Sequence, residues 1–317
     1  MAEQPSRRRC AVIYNPTKVS DEFRTLVVRQ LVPTAWEEPL WLETTEEDPG
    51  HSMAARAAEA AVDLVIAAGG DGTVRIVADG LANRGIPLGV VAAGTGNLLA
   101  HSLDLPMTEV EALKVAAQMH TRALDLIKLT VDGHRSEHFA VMAGTGMDAM
   151  IMDETNPSLK KVVGPGAYFL AAAKALGRLP IDMTITLDGG RPHRRHAMLC
   201  VIGNIGTLTG GITLMPRAKA DDGRLDVYVA SPHRFTHWIR MLVRLITFRR
   251  DSDDRVDEWQ GTRVEVRLGH ADSYQLDGDV ADEKCRTLSA EVVPGALTVC
   301  TTPEEGLASA GEAEKPI

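Results

Sequence analysis

Residues Leu64–Asn83 read LVIAAGGDGTVRIVADGLAN. An unbroken apolar run suits a strand buried on both faces of a parallel sheet. The glycines end it, and a helical pattern follows from Val74 to Asn83. Gly69, Gly70 and Gly72 permit close backbone approach, and successive N–H groups at a helix mouth form a cradle for anions. Asp71 is the anomaly, because a carboxylate placed where anions bind needs a partner. The spacing is neither Gly-x-x-x-x-Gly-Lys-Ser/Thr nor Gly-x-Gly-x-x-Gly. A tight strand-to-helix turn capped by Asp71 accounts for the same residues.

The pattern recurs. PLGVVAAG is a second buried strand, followed by a Gly-Thr-Gly turn and a short helix opened by Asn97 and ended by Pro106. RCAVIYNP predicts a first strand stopped at Asn15-Pro16, and YNPTKVSD gives a third turn. Helices are expected over about 21–31, 52–61 and 109–120, with a short strand in EPLWLETT. Strands alternating with helices over the first 120 residues or so mean a mostly parallel α/β layer. Its turns then share the carboxyl edge where open α/β sheets bind ligands, which points to a nucleotide or phosphate site.

The pattern changes near residue 130. Asp132-Gly133 and the stretch DMTITLDGGRPHRRHAMLCVIGN carry hairpin signals, and GRLDVYVAS and TRVEVRLGH continue in period two. A β-rich second domain over 130–292 follows, interrupted by expected helices at 166–176 and 235–248. The RPHRRHA cluster reads as a solvated loop. The polar tail 304–317 is expected to be disordered.

The 317 residues suffice for two domains, and the charge of −9 with 4% aromatics disfavours a nucleic-acid binder. Four dispersed cysteines argue against a disulfide framework or zinc site and for a reducing cytosol. No signal-peptide core or membrane-spanning run is visible. Two acidic turns stand out: Asp221-Asp222-Gly223 and Asp277-Gly278-Asp279. Each is readable as a hairpin turn, and each could supply the carboxylates that phosphoryl transfer needs for a metal and a base.

In this order and at these intervals, YNPT, GGDGTVRIVADGL, GTGN, AGTGMDA, PRAKADDGRLDV and LDGD resemble the diacylglycerol kinase catalytic-domain family, in its soluble bacterial lipid-kinase branch related to sphingosine kinases. The likeness spans about residues 10–300. It implies an N-terminal three-layer α/β domain like NAD kinase (1–129), rejoined by the chain end at 293–303, and a C-terminal β-sandwich. ATP and Mg²⁺ are the implied cofactors. Asn15, Pro16, Thr17, Lys18 and Val19 would line the ATP site, with Thr45 fitting slightly better than Thr44. Gly69, Gly70, Asp71, Gly72, Thr73, Val74 and Arg75, with Gly94 and Thr95, would complete the nucleotide loop. Asn97 and Asp148 are secondary candidates, equally readable as cap or turn residues.

The family's metal site falls on Asp222 with backbone oxygens of Lys219 and Arg224, and its Asp-Gly-Glu base falls on Asp279, with Asp277 as backup. Aspartate in place of glutamate shortens the reach by a methylene. The expected reaction is attack of a diacylglycerol-like hydroxyl on the γ-phosphate, with Asp279 taking the proton and Asp71 facing the metal or the hydroxyl. A soluble-substrate kinase of the NAD kinase kind, or a binding module with weakened catalysis, are the alternatives. The Arg234–Arg250 segment, rich in arginine and free of acids, suits an anionic lipid surface or, equally, a core helix. The expected location is cytoplasmic, peripheral at the inner membrane face, and a homodimer is compatible with the sequence.

Overall fold

The computed structural model describes residues 7–32, 35–146, 180–208, 212–231 and 256–303. The first domain contains β1 (Cys10–Tyr14), α1 (Phe23–Leu31), β2 (Leu40–Glu43), α2 (His51–Glu59), β3 (Leu64–Gly69), α3 (Asp71–Leu81), β4 (Leu88–Ala92), α4 (Leu98–Ser102) and α5 (Glu109–Gln118). β1 pairs in parallel with β2 and β3, and β3 with β4, so the sheet order is β2-β1-β3-β4. Residues of β1 and β3 are buried at every position, as their apolar runs require. α1 packs on α5, and α2 packs on α3. Val74, Val77, Ala78 and Leu81 of α3 are buried, each large one contributing about 1.5–3 kcal/mol on leaving water.

The second domain follows with β5 (Thr121–Val131), β6 (Arg135–Phe139), β7 (Met142–Thr145), β8 (Ile181–Leu187), β9 (His193–Ala197), β10 (Leu199–Gly203), β11 (Thr207–Leu208), β12 (Ile212–Thr213), β13 (Leu225–Ala230), β14 (Val256–Gly261), β15 (Arg263–Leu276) and β16 (Asp279–Cys300). One layer runs β6-β5-β16-β15-β8-β9, and the other runs β14-β13-β10-β7-β15. β15 serves both layers. It pairs β8 through Val264–Leu268 and β7 through Tyr274–Leu276, and its ladder with β16 shifts register between Arg267 and Asp272. A bulge of this kind bends a strand from one sheet into another. A second apolar core fills the space, including Ile127, Phe139, Ile185, Ile202, Val227, Val266 and Leu288.

β16 does more than close the sandwich. Its first residue leaves a two-residue turn, its middle pairs β5 and β15, and Val299 pairs in parallel with Leu88 of β4. The end of the chain is thus the fifth strand of the first domain's sheet. The RPHRRHA cluster corrects one expectation, since His193–Ala197 is a strand paired to β8, with Arg195 bound to Asp257 and lying over Trp259. The expected helices at 166–176 and 235–248, Asp148 and the tail lie outside the described residues.

Candidate active site

The sheet order reverses around β1, and the turns after β1 and β3 leave that switch point on the carboxyl edge. The Asn15 amide donates to the Ala68 carbonyl at 2.9 Å, and Asn15 Oδ1 accepts from the Thr17 amide and hydroxyl. The side chain thereby folds its own loop. Ser20 then ties that loop to α5, both its amide and hydroxyl donating to Glu109. Pro16, Thr17 and Lys18 are exposed, and Val19 is half-buried against the core. Thr44 is buried with its amide on Tyr14, whereas Thr45 is exposed, its hydroxyl accepting from Asp48.

The two glycine turns touch. A methyl on Gly94 would lie 2.8 Å from the Gly70 Cα, closer than real side chains come, so glycine at this contact is what lets β3 and β4 bring their loops together. α3 begins at Asp71, three residues before the sequence pattern suggested. Its first-turn amides have no intrahelical acceptor, as at every helix start, and they open beside the paired glycines. Thr73 departs from expectation, because its side chain is buried against Gly69. Thr95 remains exposed on the neighbouring turn.

Asp71 has partners within the protein. Its Oδ2 accepts from the Asn97 amide at 2.7 Å and its Oδ1 from the Leu98 amide at 2.6 Å. The carboxylate of one helix start therefore caps the next, and locks the two glycine turns in register. Burial pushes the Asp71 carboxyl up, and these two amides pull it back. Asn97, at φ 46°, closes the Gly-Thr-Gly turn on itself by accepting from the Gly94 amide and donating to the Gly94 carbonyl.

The second domain reaches this edge through the β15–β16 turn. Asp277 (φ 46°) and Gly278 (φ 94°) form a two-residue hairpin between Leu276 and Asp279, which pair with each other. A methyl on Gly278 would meet Leu98 at 3.2 Å, which puts the tip over α4. Asp277 is not the spare base that the sequence allowed. It is buried, its Oδ2 accepting from Ala140 and its Oδ1 from Val141 and Met142, all at 2.9 Å. Burial pushes its carboxyl up to about 6 against the pull of the three amides. It holds the hairpin in place.

Asp279 is the group that the hairpin delivers. A methyl on Gly72 would sit 2.7 Å from Asp279 Oδ2, so the carboxylate rests on the bare first turn of α3. The shorter aspartate side chain thus still reaches the helix, because glycine lets the two backbones close in. The side chain is 48% exposed, and Arg75 Nε lies 3.9 Å from Oδ2. Burial pushes its carboxyl up, Arg75 lowers it and Asp71 raises it. Arg75 itself turns toward β6, where Nη1 donates to Glu137 Oε2 at 2.5 Å. Glu137, which also holds Arg135, and the Asp79–His138 pair one face along escaped sequence reading. They lie about sixty positions apart in sequence and carry no spacing signal.

The Asp221–Gly223 turn lies elsewhere, away from the glycine edge. The buried Asp125 carboxylate accepts from the Gly223 amide at 2.7 Å and the Gly295 amide at 2.8 Å. Gly295 precedes Val299, which pairs the first residue of β4, whereas the glycine turns lie past its last. Strand rise separates the two places by on the order of 20 Å. Asp222 is exposed, its Oδ1 accepting from the Arg224 amide, and buried Asp226, its carboxyl pushed up by burial, is a near neighbour in charge. Among the described residues no group of three or more His, Cys, Asp or Glu could hold a metal. Asp222 is the one carboxylate of the expected set, and a single carboxylate would suit a magnesium ion that keeps most of its water.

Residues 9–129 match the diacylglycerol kinase catalytic domain family, and residues 140–301 match the YegS C-terminal NAD kinase beta sandwich-like domain. The diacylglycerol kinase of Mycobacterium tuberculosis is 31% identical over 254 residues, covering 80% of this chain and 81% of its own. The chain belongs to the diacylglycerol kinase family. Another relative, the diacylglycerol kinase of Staphylococcus epidermidis, is 33% identical over 223 residues and 68% of each chain. In fold, a crystal structure of a Bacillus anthracis diacylglycerol kinase matches with TM-score 0.69 at 22% identity, over 95% of this chain and 99% of that one. An Archaeoglobus fulgidus NAD kinase solved in complex with ATP matches with TM-score 0.51 at 14% identity, over 92% and 93%. The architecture is thus a kinase-family α/β domain with a C-terminal β-rich domain. No helix among the described residues is long and apolar enough to cross a membrane.

Proposed function

We propose that this chain transfers the γ-phosphoryl group of magnesium-bound ATP to the hydroxyl of diacylglycerol or a similar lipid. The observation that carries the reading is Asp279, which a hairpin of one domain sets against the first turn of a phosphate-cradle helix in the other. The amides at the start of α3 and the paired glycine turns would hold phosphate oxygens. Magnesium, when bound with the nucleotide, neutralises charge developing on those oxygens. Asp279 would accept the proton of the attacking hydroxyl, and its raised pKa makes it the stronger base for doing so. Asp71 acts at one remove, by holding the two turns together.

The acceptor is expected to come from a membrane surface. The five arginines and absent acids of Arg234–Arg250 support a peripheral contact with an anionic inner leaflet. Vesicle co-sedimentation at rising salt tests it, and binding indifferent to anionic lipid would overturn it. Transfer of labelled γ-phosphate to a panel of lipids, with NAD alongside, tests the reaction. Label in a lipid fraction is expected. Label in NAD alone, or in no fraction at any lipid composition, would overturn the reading.

A further inference from the structure

Arg75 leaves α3 four residues after Asp71, on the same face. Its side chain is 11% exposed, and Nη1 is clamped by Glu137, itself 15% exposed. Nε is fully buried and has no hydrogen-bond acceptor. It lies 3.9 Å from Asp279 Oδ2. A guanidinium is a rigid plane, so fixing Nη1 on Glu137 also fixes where Nε faces. A buried charged donor left without an acceptor is costly, and packing alone gives no reason to hold it there.

We propose that Arg75, held back by Glu137, is a positioning residue for Asp279: it keeps that carboxylate ionised and turned onto the first turn of α3 without occupying the oxygen that receives the proton. The inference rests on the lipid-kinase reading for its chemistry. Burial and the Asp71 charge on α3 both favour the protonated form of Asp279, and Arg75 is the cation that opposes them. Behind Arg75 stand Glu137 and Arg135 on β6, Asp277 in the hairpin turn also lies within reach of its charge, and His101 on α4 faces Asp71. A direct Arg75–Asp279 hydrogen bond would tie up the acceptor oxygen and weaken the base. Glu137 prevents this by drawing the guanidinium away.

The two partners therefore predict opposite effects. Arg75→Met removes the cation, so the Asp279 midpoint rises by about one pH unit, roughly a tenfold loss of kcat/KM on the acid side. Glu137→Gln releases Arg75 onto Asp279, so the midpoint falls and the plateau rate falls with it. Arg75→Lys keeps the charge and holds the midpoint near its original value. The experiment is a carbon-13 NMR titration of the full chain labelled at aspartate carboxyls, with Asp279 assigned by Asp279→Asn, run beside pH–rate profiles on diacylglycerol vesicles. Opposed shifts are expected, and coincident midpoints in the original chain and Glu137→Gln would overturn the proposal even if Arg75→Met does not fold. The titration needs no substrate. Absence of lipid phosphorylation by the original chain would thus sink the lipid-kinase reading while the midpoints still decide the role of Arg75.

Discussion

Replacing Gly72 by alanine should separate stability from turnover. Gly72 lies in the first turn of α3 and needs no left-handed φ, so alanine gains up to about 1 kcal/mol of helix propensity. The added methyl would lie 2.7 Å from Asp279 Oδ2, and its three nearest neighbours are all atoms of the Asp279 carboxyl group. Carbon–oxygen contacts settle near roughly 3.3 Å, so the carboxylate must retreat by about half an ångström or more. The side chain is half-exposed, so it can make that retreat toward solvent. Misplacing a catalytic group by about 1 Å costs on the order of 100-fold, so the loss of kcat should fall between roughly 10- and 100-fold, about 1.4–2.7 kcal/mol of barrier. Thermal unfolding and initial rates of lipid phosphorylation measure the two quantities on one preparation. A variant with raised Tm and undiminished kcat would refute the reasoning, since the position of Asp279 on α3 would then be irrelevant to turnover.

Asp279→Asn should abolish turnover while leaving ATP binding, read by calorimetry, nearly intact. Because burial raises the folded-state pKa of Asp279, its stabilising contribution is present at low pH and lost as pH rises through that raised value; the asparagine variant should therefore be no less stable at pH 7. The same shift sets the acid limb of the pH–rate profile above the ordinary aspartate value, with activity lost as pH falls through it. Asp277→Asn should instead lower stability by roughly 1–3 kcal/mol, because an amide group would face the Ala140 N–H; denaturant unfolding checks this, and an unaltered midpoint would return Asp277 to the list of bases. Asp222→Ala should weaken the magnesium dependence of Tm but not that of nucleotide binding, since its turn lies on the far edge of the sheet; loss of both together would place that metal in the active site.

Much of this was legible in the sequence, for a local reason. Buried parallel strands must be apolar throughout, so Leu64–Gly69 and Leu88–Ala92 announce themselves, and the glycines after them mark the edge where they end. Asp132-Gly133, Asp188-Gly189 and Asp277-Gly278 all adopt the positive φ values that the Asp-Gly signal implies. What stayed hidden depends on pairing between distant residues. Asp71 and the Leu98 amide are 27 positions apart, and no local rule assigns one helix start to cap another. His193–Ala197 looked like a loop because its alternation is between charged and charged rather than apolar and polar. The place of the Asp222 turn was hidden as well, because it depends on the route of β16 back to β4, which composition does not record.

That route also bears on how the molecule comes apart. The catalytic-domain match ends at residue 129, yet the strand beside β4 arrives only with Val299. A fragment cut at that boundary would keep the cradle and lose the fifth strand, leaving the edge of β4 bare, which is a template for association with other chains. Trimming the C-terminus past Val299 would expose the same edge from the other side. The hairpin that carries Asp279 and the strand that seals the first sheet are one continuous stretch of backbone. For expression, permutation or domain exchange, the smallest unit that keeps the edge of β4 covered is therefore the whole of both domains.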